Sequence, residues 1–129
     1  HGGLSKGMKD SVSMIVGDLA KDIETYSLLP GQNPEDFYQE VLKEAKESEE
    51  QILILCDIKG GSVHTALSKL AVLDNVMVFS GMNMGLVLDA VMKGLNGKLE
   101  LAEANDLIEA AKDGMTVMNG MTSEDDEDF

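Results

Sequence analysis

Five consecutive apolar residues, Ile52-Leu53-Ile54-Leu55-Cys56, stand near the middle of the chain with polar sequence on either side. A strand with one wet face alternates apolar and polar residues, whereas a run apolar at every position needs cover on both faces. The run therefore predicts a central strand of a parallel sheet. It also obliges the rest of the chain to supply helices to both sides.

The flanking sequence meets that demand. Leu4, Met8, Val12 and Ile15 recur at helical spacing, and Gly17 ends their helix. A strand is expected over residues 23–28, ahead of the turn Pro30-Gly31. Asn33-Pro34-Glu35-Asp36 then offers an N-cap, a proline at the first helical position and two carboxylates over the positive helix end. Phe37, Val41, Leu42 and Ala45 form the buried stripe of that helix. Beyond the turn at residues 57–61, Ala66, Leu67, Leu70 and Ala71 face inward from a further helix, followed by a strand at 76–79. A helix over residues 83–95 precedes one marked by Ala104, Leu107, Ile108 and Ala111 and closed by Gly114. Met115 to Met118 form a short last strand at a sheet edge. The alternation predicts an α/β fold with an open, doubly wound, mainly parallel sheet. Such folds start on a central strand, so one more strand is expected upstream of His1.

The 129 residues suit one domain. Ten lysines, no arginine and 24 acidic residues give a net charge of −14, which repels phosphate backbones and anionic lipid and so disfavours nucleic acid and membrane surfaces. No apolar segment approaches the roughly 20 residues of a membrane span. The single cysteine, Cys56, excludes an internal disulfide and a thiolate zinc cluster, placing the chain in a reducing cytoplasm. No metal or cofactor site is read. Glu124, Asp125, Asp126, Glu127 and Asp128 make residues 119–129 an acidic, disordered tail behind a domain at 1–118. Without those five charges the chain still carries −9, so its body is acidic too, as a solvated surface.

Ligands of open parallel sheets bind beyond the carboxyl ends of the strands. The turn Asp57-Ile58-Lys59-Gly60-Gly61-Ser62 lies there. Its paired glycines let the backbone turn tightly with N–H groups outward, and Ser62 can cap the next helix and lend a hydroxyl to an anion pocket. The same residues also serve as plain turn and cap chemistry. The spacing is not that of a P-loop, so nucleotide binding of that kind is not supported. Asp57 at a strand end either bonds turn amides or meets a histidine. Only His1 and His64 are available, and His64 falls in the first turn of the following helix.

His1-Gly2, Leu4-Ser5-Lys6-Gly7-Met8 and Met14-Ile15-Val16-Gly17 resemble the start of the enzyme IIA component of the mannose/fructose/sorbose-family bacterial sugar phosphotransferase system (PTS). The resemblance continues through the apolar run with its Asp57 and Gly60-Gly61-Ser62, through Asp74-Asn75-Val76, and through Ser80-Gly81-Met82-Asn83-Met84, spanning residues 1 to 118. It implies that His1 is the phosphorylated histidine, Asp57 its orienting carboxylate, and Gly60, Gly61 and Ser62 the phosphoryl-binding turn. It further implies a phosphoryl donor, HPr, an acceptor, enzyme IIB, and a homodimer that exchanges the terminal strand. The chemistry agrees, because imidazole attacks through one nitrogen when a carboxylate holds the proton on the other. The sequence departs from the family at Ser62-Val63-His64-Thr65, where the family has Ser-Pro-x-Asn. Two related readings are the phosphoryl-donor subunit of dihydroxyacetone kinase and a phosphorylation-controlled regulatory domain. Gly60-Gly61-Ser62 favours the sugar-transport branch over the first. A further reading, an α/β ligand-binding domain, leaves His1 without a role.

Overall fold

A computed structural model describes residues 1–120, and the acidic run at 124–128 lies outside the described residues. In chain order the elements are α1 (Leu4–Val16), α2 (Pro34–Glu47), β1 (Ile52–Leu55), α3 (Ser62–Leu67), β2 (Val76–Phe79), α4 (Met84–Gly94) and α5 (Leu101–Asp113), with 3₁₀ turns at Gly17–Ala20 and Ser68–Val72. The result is a mixed α/β fold around a small parallel sheet.

Local signals start these helices where the sequence indicates. The Asn33 side chain accepts the Glu35 N–H at 3.0 Å, and Pro34 occupies the first helical position of α2. Asn83 caps α4 in the same way, accepting from Leu86 N–H at 2.8 Å, and its amide also donates to Ala111 O at 3.0 Å. One side chain thus ties the start of α4 to the end of α5.

β1 and β2 pair in parallel, Ile52 opposite Val76 through Leu55 opposite Phe79. Alternation then sends side chains to two separate cores. Ile52, Ile54, Val76 and Val78 pack with Val41, Ala45, Val63 and Leu67 of α2 and α3. Leu53, Leu55, Met77 and Phe79 pack with Leu86, Ala90, Ala104 and Leu107 of α4 and α5. An apolar run without alternation therefore has helices on both faces, as parallel pairing demands.

Four expectations change. Residues 23–28 run without ladder bonds, because they face β1 only across the groove beside it and no strand lies within pairing reach. Ser5 Oγ donates to Tyr26 O at 2.8 Å, Lys9 Nζ donates to Ile23 O, and Gly2 N donates to Leu28 O at 3.3 Å. Residues 115–118 likewise form no strand in the single chain, where nothing pairs with them. The stripe of α1 is buried only at Val12, which packs on Val87 of α4, while Leu4 and Ile15 are exposed. Ala71 is exposed as well, because the helix tightens into the 3₁₀ turn after Leu67 and turns that position outward.

β1 itself is only half-buried. Its edge away from β2 borders a groove of about 560 Å³ whose far wall is residues 23–26, with Phe37 and Val41 among the lining. His1 and Asp57 also line it. The Ser27 hydroxyl, next in sequence to that wall, is buried without a partner among the described residues.

Candidate functional site

The backbone of β1 continues its ladder one step, with Cys56 N–H donating to Phe79 O at 2.9 Å, before the chain turns away at Asp57. Met82 N–H comes back to Cys56 O at 3.0 Å, so the two post-strand turns are fastened side by side at the carboxyl end of the sheet. The candidate site lies here, at the open end of a parallel sheet, where backbone groups are left free for ligands.

Asp57 uses its two oxygens differently. Oδ1 accepts the Ile58 N–H at 2.9 Å, fixing the carboxylate in the turn. Oδ2 faces His1, 2.9 Å from ring Nδ1 and 2.7 Å from the backbone nitrogen. The two roles that the sequence left open for Asp57, turn residue and histidine partner, are thus filled together. A carboxylate only accepts, so Nδ1 carries a ring proton, and in the neutral ring Nε2 keeps its lone pair. Nε2 points toward Ser62 Oγ at 3.5 Å, a distance too long for a firm hydrogen bond. His1 is exposed, while the Asp57 side chain is only 11% accessible. A shielded carboxylate therefore grips an exposed histidine whose other nitrogen faces the Ser62 hydroxyl.

The turn between them needs glycine twice, for different reasons. Gly60 has φ +79°, a left-handed conformation that strains any side chain. Gly61 has an ordinary φ of −66°, but a Cβ there would lie 2.8 Å from Ile58 Cγ2 and 3.0 Å from His1 Cε1. The bare backbone of Gly61 is what lets the turn press against the His1 ring. Gly61, not Ser62, is the N-cap of α3, so the expected capping role of Ser62 is corrected. Ser62 is the first helical residue, and its hydroxyl is free to face His1. Among the described residues the N–H groups of Ser62 and Val63 have no partner.

His1, Asp57, Gly60, Gly61 and Ser62 are therefore brought into one cluster. Lys59, in the same turn, makes no ion pair among the described residues. His64 does not reach His1 but accepts the Gly60 N–H on Nδ1 at 3.0 Å, a link that the sequence showed only as a four-residue spacing. Cys56, buried behind the turn, has its thiol pushed up to about 11 by burial, with the Asp57 charge adding to it. It stays a neutral core residue. No cluster with the makeup of a metal site occurs among the described residues.

Set against solved structures, this architecture is that of PTS IIA subunits. It is similar to the mannose/sorbose-specific IIA subunit from Enterococcus faecalis, at 23% identity and TM-score 0.76 over 95% of this chain and 92% of that one. The EIIA component from Streptococcus agalactiae aligns at 22% identity and TM-score 0.74, covering 91% of each chain. The IIA protein associated with the fucose utilization operon of Streptococcus pneumoniae aligns at 25% identity and TM-score 0.69, over 91% of this chain and 87% of that one. Residues 1–112 match the sequence model of the PTS system fructose IIA component, and the chain belongs to that family, whose work is sugar phosphotransfer. No helix among the described residues is long and apolar enough to cross a membrane.

Proposed function

We propose that this chain accepts a phosphoryl group from HPr on Nε2 of His1 and passes it to an enzyme IIB partner in the cytoplasm. One observation carries the reading: a single ring has Nδ1 committed to Asp57 at 2.9 Å and Nε2 open beside the Ser62 hydroxyl. As the Nε2 lone pair attacks phosphorus, a new N–P bond forms while the donor histidine's N–P bond breaks and its electron pair returns to the donor ring. Asp57 keeps the Nδ1 proton in place and offsets the positive charge that the ring acquires. The onward step is the same displacement with enzyme IIB supplying the nucleophile.

A phosphoryl group in flight spreads negative charge over its equatorial oxygens, and fixed donors aimed at them lower the barrier. The Ser62 hydroxyl and the unpartnered N–H groups of Ser62 and Val63 are such donors, with Gly60 and Gly61 shaping the turn that presents them. The chain has no arginine, so Lys59 is the cation that this turn itself contains. The groove beside β1 suits one more apolar strand, parallel to β1, whose carboxyl end would lie at His1 and complete a doubly wound sheet. Met115, Val117 and Met118 are 73%, 90% and 71% exposed, which suits a segment that pairs with the sheet of a second copy in a homodimer.

The test is a two-step relay. Incubation with phospho-HPr should load one acid-labile phosphate on His1, and addition of enzyme IIB should remove it. A folded chain that takes no phosphate, or keeps it in the presence of several enzyme IIB proteins, would contradict the reading.

A further inference from the structure

Both polar groups of Gly60 are held from one turn inside α3. Its N–H donates to His64 Nδ1 at 3.0 Å, and its carbonyl faces Thr65 Oγ1 at 3.4 Å. Gly61 is fastened on the same side, its carbonyl accepting Thr65 N–H at 2.8 Å. The Gly60 peptide needs such fixing, because a glycine at φ +79° is free to leave that conformation. What it fixes matters, because the neighbouring Gly61 backbone packs so closely on His1 Cε1 that a Cβ would come within 3.0 Å. A contiguous chain thus runs from the His64 ring through Gly60 and Gly61 to the His1 ring.

We propose that His64 is a positioning residue for phosphoryl transfer: its Nδ1, accepting from Gly60, clamps the turn that holds the His1 ring against Asp57 and Ser62. Accepting at Nδ1 puts the His64 proton on Nε2. His64 is therefore a brace and not a second phosphate acceptor. Its effect on transfer rests on the relay reading above, while the clamp itself is a statement about the turn.

Two variants separate the acceptor from the bulk of the ring. His64→Ala removes the acceptor, and His64→Asn returns one, its side-chain oxygen lying as many bonds from Cα as Nδ1 does. Losing one ordinary hydrogen bond should slow phosphate gain at His1 by about threefold to tenfold in His64→Ala and lower its melting temperature by a few degrees, with His64→Asn close to wild type in both. Amide exchange at Gly60 should quicken in His64→Ala and recover in His64→Asn. Wild-type loading on His1 with His64→Ala equally fast overturns the proposal, and so does His64→Asn as slow as His64→Ala. If the wild-type chain takes no phosphate at all, the relay reading fails by that result. Gly60 exchange unchanged in His64→Ala would then overturn the clamp separately.

Discussion

Replacing Asp57 with asparagine should cost far more than the loss of one charge suggests. Oδ1 accepts the Ile58 N–H at 2.9 Å and Oδ2 accepts from His1 Nδ1 at 2.9 Å, so the native site uses two acceptors. An amide has only one. The backbone nitrogens of Ile58 and His1 can only donate, one to each oxygen, so an asparagine leaves one of them facing its NH₂ group; with the oxygen kept on Ile58, the NH₂ group is turned to His1. Nδ1 must then accept, the ring proton moves to Nε2, and the nucleophile loses its lone pair. The same inversion of an imidazole tautomer in a serine protease triad lowers turnover about 10⁴-fold, so a loss of about 10² to 10⁴ is expected here, or about 3–5 kcal/mol of barrier. The fold should survive, because asparagine matches the shape of Asp57 and keeps the Ile58 bond. The assay is rapid-quench phosphate gain from phospho-HPr under single-turnover conditions, with a melting curve and ¹⁵N spectra of the His1 ring beside it. A rate within about twofold of wild type in a folded variant, or a ring proton still on Nδ1, would refute the tautomer argument.

Gly61→Ala meets no backbone strain at φ −66° but pushes into Ile58 and the His1 ring. Ile58 is exposed and can swing aside, so displacement falls on the ring, and transfer should drop about tenfold with little change in melting temperature. Gly60→Ala should do the reverse to stability, costing about 1–2 kcal/mol at φ +79° although open space surrounds it. Cys56 should resist iodoacetamide at pH 8 in the native chain and react once unfolded, because its thiol ionises at about 11 in the fold. Since that value is raised above the ordinary 9.0, the unfolded chain loses this proton first, and the thiol's contribution to stability declines as pH climbs from 9.0 to about 11. Light scattering on the full chain should report a dimer, and a chain ending at Gly114 should be a monomer. A monomeric full chain, or a dimer insensitive to the deletion, would exclude strand exchange through Met115 to Met118.

Sequence carried those parts of the structure that are decided within a few residues. Asn33-Pro34 and Asn83 start helices because caps act on the next three amides, and the unbroken run at residues 52–56 signals helices on both faces through the period of a strand. What depends on distant chain was less visible. Residues 23–28 have strand-like composition, yet a strand exists only with a neighbour in reach, and the groove beside β1 puts none there. The stripe of α1 was legible as a stripe, but its burial depends on α4 covering it, and the cluster shared with α4 takes in Met8, Val12 and Val16 while leaving Leu4 and Ile15 exposed. At the site, His1, Asp57 and the Gly60-Gly61-Ser62 turn were readable as candidates from a strand end, a turn and a family resemblance. The reason for Gly61 was not, because it lies in the approach of a ring sixty residues away in sequence. The His64 bond to Gly60 was hidden for the opposite reason: a polar residue in a first helical turn looks like ordinary solvated surface.

The most direct measurement is the identity of the phosphorylated atom. The folded chain is loaded from phospho-HPr, and ³¹P and ¹⁵N spectra, with peptide mapping under alkaline conditions, locate the phosphate. One phosphate on Nε2 of His1, with Nδ1 still protonated beside Asp57, is the expected result. Phosphate on Nδ1 of His1, on His64, or on no residue of a folded chain would contradict it.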